Sequence, residues 1–334
     1  MSLFPFGITN DGTLCDYYNN TKVIDLSFCM NIKRIAKLAF RNCSFVEEII
    51  LPGSVEVIEN MAFNGCYNLK TINIPNDKTV FEGNPFYNTK WEMKELKEKG
   101  FIMINNCLIK IDQNLTDDSV IKSAKRIGRY AFKENKFLKA ADLSQWGDLE
   151  YIETFSFNEC SNLETVILSD KCKVRSVNIG TFASCPKLKE LTLPPSIENI
   201  NGTAFDKDSP WFSDHKDKSG QFLAYGDFLI KYLDNRTFDV KRKKHLTLID
   251  LNKYVPNVKV ICSNSFVQSG IKKIYLSNNI TTIMPSAFDY CINLNEVVFP
   301  SSIKHIKPRA FNNCENFVID RTKLPLTAIV YPST

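Results

Sequence analysis

The chain has 334 residues, room for two ordinary domains or one long repeat array. Its 44% hydrophobic and 24% charged residues can bury a large core, which excludes disorder as a global description. Lys plus Arg number 42 against 37 Asp plus Glu; a net charge of +5 over this length gives no general reason to expect nucleic acid. No apolar run reaches the ~18 residues of a membrane-crossing helix, so no membrane insertion is expected. Phe4-Pro5-Phe6-Gly7 runs straight into polar Asn10-Asp11-Gly12, and no signal peptide is visible.

The chain repeats itself. From Ile35 it reads I-A-K-L-A-F-R-N-C, and from Ile58 I-E-N-M-A-F-N-G-C-Y-N-L-K-T-I-N-I-P. The same frame returns at Ile152–Leu168, Val177–Pro194, Ile283–Pro300 and from Ile306. A phenylalanine anchors each copy: Phe40, Phe63, Phe86, Phe132, Phe157, Phe182, Phe205, Phe266, Phe288 and Phe311. The gaps between them are 23, 23, 46, 25, 25, 23, 61, 22 and 23 residues.

Within a unit, L-x-x-I-x-I, as in Leu69–Ile74, predicts a short strand. Leu69, Ile72 and Ile74 face the core, and Thr71 and Asn73 face away. A following proline (Pro52, Pro75, Pro194, Pro300) cannot donate a ladder hydrogen bond and closes the strand. An apolar pair such as Val57-Ile58 returns the chain across the core, and Ala-Phe plugs it. One unit cannot bury its apolar face alone; stacked units can.

Two long gaps hold insertions, near 87–115 and 206–240, that copy each other. F-I-M-I-N-N-C-L-I-K-I from Phe101 aligns without a gap to F-L-A-Y-G-D-F-L-I-K-Y from Phe222. Asn105-Asn106 and Gly226-Asp227 lie mid-run, where a two-residue hairpin turn needs positive φ. Both insertions are therefore expected to be β-hairpins leaving the repeat array at equivalent points. Glu92–Lys99 reads as a short charged helix stopped by Gly100.

The motif I-x-x-x-A-F-x-x-C-x-x-L-x-x-I-x-L-P resembles the BspA-like leucine-rich repeat family, the Treponema pallidum type, over roughly residues 20–325. The resemblance implies an α/β fold: a right-handed solenoid of about ten repeats with a parallel sheet on its concave face. Residues 1–334 would then form one domain with two hairpin insertions. It also implies surface or secreted proteins that bind host proteins or other cells.

Six of the 11 cysteines, Cys43, Cys66, Cys160, Cys185, Cys291 and Cys314, lie three residues after an anchor. Elsewhere that slot holds Thr89, Asn135, Asp208 and Ser269, which suits a buried turn position with a satisfied thiol. Disulfides between neighbouring repeats are the alternative. Zinc is not expected: no C-x₂-C pair occurs, and His215, His245 and His305 are far apart. No nucleophile elbow, zinc helix or phosphate loop appears, so neither an enzyme nor a cofactor is expected. Lys241-Arg242-Lys243-Lys244-His245 is the one basic cluster and reads as a solvated loop, with an anionic-ligand patch as the alternative. Sequons stand at Asn19, Asn42, Asn114, Asn201, Asn235 and Asn279, and at Asn42 a glycan is expected to clash with packing.

Function on such an array belongs to strand positions the core does not use. One outward column reads Asp25, Ile50, Asn73, Asp142, Ile167, Thr192, Asp250, Tyr275, Val298. The preceding one reads Val23, Glu48, Thr71, Ala140, Thr165, Glu190, Leu248, Lys273, Glu296. From these, Ile50, Asn73, Asp142, Ile167, Thr192, Tyr275 and Val298 are the candidate binding residues. The expected function is non-enzymatic adhesion or protein binding by a monomer, to a host, matrix or cell-surface protein. The expected location is the cell surface or outside the cell. A cytoplasmic interaction scaffold with no host ligand is the alternative.

Overall fold

A computed structural model of the protein describes residues 6–19, 21–112, 123–233 and 248–332. The chain divides into two compact units, Met1–Val174 with Thr192–Pro194, and Arg175–Leu191 with Pro195–Thr334. Both are stretches of leucine-rich-repeat solenoid built from two kinds of short parallel strand. Front strands come from the L-x-x-I-x-I segments. Back strands come from the apolar pairs that precede each Ala-Phe.

In the first unit the front strands Val23–Asp25, Glu48–Ile50 and Thr71–Asn73 pair in parallel, with Ile24, Ile49 and Ile72 in register. Ala140–Leu143 and Thr165–Leu168 form a second front pair. The back strands Arg34–Ile35, Val57–Glu59 and Val80–Glu82 run in parallel behind Thr13–Tyr17. Between the two walls the anchors stack: Tyr17 on Phe40 at 5.5 Å, Phe40 on Phe63 at 5.2 Å, Phe63 on Phe86 at 5.6 Å. Trp91 closes this column, 4.4 Å from Phe86. Ile72 and Ile74 are only partly buried, because Thr71–Asn73 is the last front strand of its sheet.

The second unit repeats the plan. Front strands Leu248–Asp250, Lys273–Tyr275 and Glu296–Val298 pair in parallel. Back strands Val260–Ile261, Thr282–Ile283, His305–Ile306 and Ile329–Val330 form their own ladder. Phe266, Phe288 and Phe311 stack at 4.8 and 4.9 Å. A separate column, Phe182 on Phe205 on Trp211, stacks at 5.8 and 4.0 Å.

Most turns carry left-handed residues two positions before and two after the anchor; glycine takes the place at Gly180 and Gly65. Leu38, Met61, Tyr130, Phe155, Asn264, Ser286 and Arg309 fill the first position; Asn88, Glu134, Glu159, Ser184, Gln268, Tyr290 and Asn313 fill the second. A left-handed conformation costs a non-glycine residue about 1–2 kcal/mol. Stacking offsets it, because the bend aims the anchor's backbone at the next turn: Phe40 N–H donates to the Ala62 carbonyl at 3.1 Å, and Phe288 N–H to that of Ala310 at 2.8 Å.

The two expected hairpins are present, Phe101–Ile104 with Cys107–Ile111 and Phe222–Tyr225 with Phe228–Tyr232. They do not leave the array. Their second strands start back-strand ladders, Cys107–Ile111 pairing in parallel with Arg126–Ile127 and Phe228–Tyr232 with Val260–Ile261. Their last residues take the anchor's place: Ile111 N–H donates to Ala131 and Tyr232 N–H to Ser265, as Phe40 does to Ala62. One more hairpin, the first in chain order, Phe6–Ile8 with Thr13–Tyr17, does the same, with Tyr17 N–H donating to Ala39.

The charged helix runs from Lys90 to Lys99, capped by Thr89 and ended by Gly100 at φ 77°. Its buried Glu92 takes hydrogen bonds from Asn84 Nδ2 at 2.6 Å and Asn88 N–H at 2.7 Å. Lys110 Nζ lies 2.7 Å from the same carboxylate and ties the helix to the second hairpin.

Candidate functional site

Front strands alternate strictly between core and solvent. In Val23–Asp25 and Glu296–Val298 the middle residue is buried and both neighbours are exposed. The predicted column divides among three separate sheets, and within each the neighbours are in register: Asp25 stands opposite Ile50 and Ile50 opposite Asn73; Asp142 opposite Ile167; Asp250 opposite Tyr275 and Tyr275 opposite Val298. Asn73, Asp142, Thr192 and Val298 are exposed, whereas Ile50, Ile167 and Tyr275 are half-buried. The half-burial is lateral, since each of these three has a strand on at least one side and shares its face with neighbouring side chains. Tyr275 is further fixed by Lys273, whose ammonium lies 4.8 Å over its ring.

The aspartates of the three sheets share a local cause. Each opens a D-L-S or D-L-N sequence, and its Oδ1 accepts a backbone N–H two residues on: Ser27 to Asp25 at 2.9 Å, Ser144 to Asp142 at 3.0 Å, Asn252 to Asp250 at 3.1 Å. The Ser27 hydrogen bonds hold the Asp25 carboxyl below the usual carboxylate range. The repetition of D-L-S/N, at Asp25, Asp142 and Asp250, is visible in the sequence once the three hairpins are aligned. It marks the first front strand after each hairpin.

Other surface features are less ordered. Phe28, Phe45 and Phe137 are 73%, 66% and 60% exposed, but they sit in turns rather than in strand columns. A 340 Å³ cleft lies beside the turn of the second hairpin, lined among others by Lys78, Asn105, Lys125, Arg126, Glu150 and Tyr151. Its charges are mixed, and Arg126 is already ion-paired with Glu153. Among the described residues no group of three or more His, Cys, Asp or Glu side chains could hold a metal ion, and no helix is long and apolar enough to cross a membrane. The basic cluster Lys241–His245 lies outside the described residues.

The six slot cysteines are buried, and the slot has a use for the thiol. Cys66 Sγ donates to the carbonyl of Phe40 at 3.4 Å; Cys160 donates to Phe132, Cys291 to Phe266 and Cys314 to Phe288, each at 3.0 Å. The thiol thus satisfies the anchor carbonyl one turn back. Thr89 substitutes by donating to Phe86 in its own turn at 2.9 Å. A second side-chain ladder escaped the sequence reading. In C-x-N followed by Leu or Phe the asparagine amide donates one turn back: Asn68 to Ser44 at 2.8 Å, Asn162 to Lys136 and Asn316 to Ile292 at 2.6 Å. Its signal was the recurrent Asn two residues after the slot cysteine. Asn42 is exposed, so the expected clash of a glycan with packing does not hold; Asn201, by contrast, is buried.

The signature of the BspA type leucine-rich repeat region matches this chain in 6 copies, over residues 15–139, 98–210 and 230–327. The chain belongs to the BspA-type leucine-rich repeat family. Repeats of this kind make protein-interaction modules, and in this member the columns above are what the repeat leaves over once its core is built. No curated protein matches the chain. Among solved structures it is similar to a T. pallidum leucine-rich repeat protein (22% identity, 60% of this chain and 84% of that one, TM-score 0.31). It is also similar to a leucine-rich repeat protein from Bacteroides ovatus (19% identity, 98% and 88%, TM-score 0.29) and to the pneumococcal vaccine antigen PcpA (17%, 98% and 74%, TM-score 0.32). The family assignment rests on the repeat matches.

Proposed function

We propose that the protein is a non-enzymatic binding module, an adhesion or recognition protein at the cell surface or outside the cell. As a monomer it engages a host, matrix or cell-surface protein through its front strands. The observation that carries this reading is the in-register alignment of outward residues that the core does not use. Strands about 4.8 Å apart hold such side chains in rigid columns. A partner then meets several of them with little ordering cost. Tyr275 and Ile167 offer the contact area expected of anchor residues.

The test is a pull-down from extracellular matrix and from cell lysate, side by side. The captured protein is then titrated with an Ile167→Asp, Tyr275→Ala variant and with a variant carrying Ser at Lys241, Arg242, Lys243 and Lys244. The strand variant should weaken binding with little change in melting temperature. Loss of binding in the basic-cluster variant alone would replace this reading with an anionic-ligand one.

The intracellular scaffold remains a second reading because of the thiols. A sulfur that donates to a carbonyl at 3.0 Å carries its proton, the state a reducing compartment maintains. Counting alkylatable thiols in denatured protein from its native source separates the two: all free supports the scaffold, bridges between neighbouring turns support secretion.

A further inference from the structure

Resting on the reading above, we propose that the partner is basic where it meets the front strands, with lysine or arginine side chains alternating with apolar ones. In each unit the front strands differ in charge from the chain as a whole, which carries +5. Their outward positions hold the acids Asp25, Glu48 and Asp142 and no base in the first unit, and the acids Glu190, Asp250 and Glu296 with one base, Lys273, in the second. That base is already engaged, with its ammonium 2.7 Å from Glu296.

The acids are not simply clustered. In each of three sheets an aspartate stands directly opposite an apolar residue: Asp25 opposite Ile50, Asp142 opposite Ile167, Asp250 opposite Tyr275. In the first sheet Val23 also stands opposite Glu48, so acid and aliphatic side chains form a checkerboard. Val23 is 50% exposed there, and Leu248 51% exposed at the start of the third sheet.

Such a pattern has one complement among protein surfaces. A lysine or arginine head meets the carboxylate while its methylene stem, or the next apolar side chain, covers the adjacent Ile or Tyr. An arginine can also lie on the Tyr275 ring. The Asx turns fix each aspartate carboxylate in advance, so little ordering cost remains. Nucleic acid and anionic membrane carry the wrong charge for this face.

Two synthetic peptides of equal length, alternating Lys-Leu and alternating Glu-Leu, test the inference by calorimetric titration of the intact protein. The triple variant Asp25→Asn, Asp142→Asn, Asp250→Asn removes three charges but keeps the Oδ1 acceptor of each turn, so the fold is preserved. The exposed Asp77→Asn serves as control. The lysine peptide should bind and the glutamate peptide should not; the triple variant should weaken binding by about tenfold or more, with Asp77→Asn unchanged. A lysine peptide that does not bind, or binds the triple variant equally well, overturns the inference. If both peptides bind and Ile50→Asp with Ile167→Asp abolishes both, the basic partner falls but the strand face stands. If no strand-face variant changes the binding of either peptide, the binding reading falls as well.

Discussion

Phe157 is fully buried, with its ring 4.5 Å from that of Phe132 and nearly parallel to it. Emptying such a site costs a lost transfer energy and an unfilled cavity. Phe157→Ala should therefore lower stability by about 3–5 kcal/mol in urea unfolding; a loss below about 1 kcal/mol would contradict the stacked-anchor core. The left-handed residues give the opposite sign. Gln268 sits at φ 58° with an exposed side chain. Gln268→Gly should raise stability by up to about 1 kcal/mol, since glycine adopts this conformation without steric cost.

Burial pushes the Cys107 and Cys262 thiols up to about 12. A pKa raised by folding stabilises the fold fully below the unfolded value of about 8.5, and the contribution is lost as pH rises toward the folded one. Stability to urea should thus fall between about pH 9 and pH 12, and less steeply in Cys262→Ala. The anchors and the cysteine slot were legible because one residue type recurs there. The left-handed positions were not: Leu38, Met61, Tyr130 and Phe155 share no chemistry, and stacking rather than propensity sets their backbone.

The hairpins explain how a ladder can end and restart inside one chain. Each internal hairpin is apolar on both faces. Ile102 and Ile109 pack into the core of the preceding turns with Phe81 and Phe86, whereas Phe222, Leu229 and Tyr232 pack into the core of the following ones. Leu223 and Ile230, the counterparts of Ile102 and Ile109, are fully buried too. In the first hairpin those two positions are the smaller Gly7 and Cys15. Ile109→Ala should therefore cost about 2–5 kcal/mol. It should also speed amide exchange in Val80–Glu82, on the preceding side. Faster exchange confined to Arg126–Ile127 would contradict the two-faced role. Sequence comparison found the two internal hairpins because they align without a gap. It missed the first, F-G-I-T-N-D-G-T-L-C-D-Y, whose turn is one residue longer. It also took the two internal junctions for departures from the array, because an anchor supplied by Ile111 or Tyr232 does not look like Ala-Phe.

Across the whole molecule, the repeat spends its apolar residues on the core and its turn residues on hydrogen bonds between turns. What remains free to vary is the outward half of each front strand. That half was legible in advance, since period-2 alternation and the strand proline fix which residues point out. The degree of exposure was not: Ile50, Ile167 and Tyr275 are half-covered by neighbours that only the register identifies. The rival surface is the set of turn aromatics Phe28, Phe45 and Phe137, which are more exposed but not aligned. Hydroxyl-radical footprinting of the protein with its captured partner decides between them. The account predicts that oxidation of Ile50, Ile167, Tyr275 and Val298 falls on binding while Phe28, Phe45 and Phe137 stay as reactive as in the free protein. Protection of the turn phenylalanines with the strand residues unchanged would contradict it.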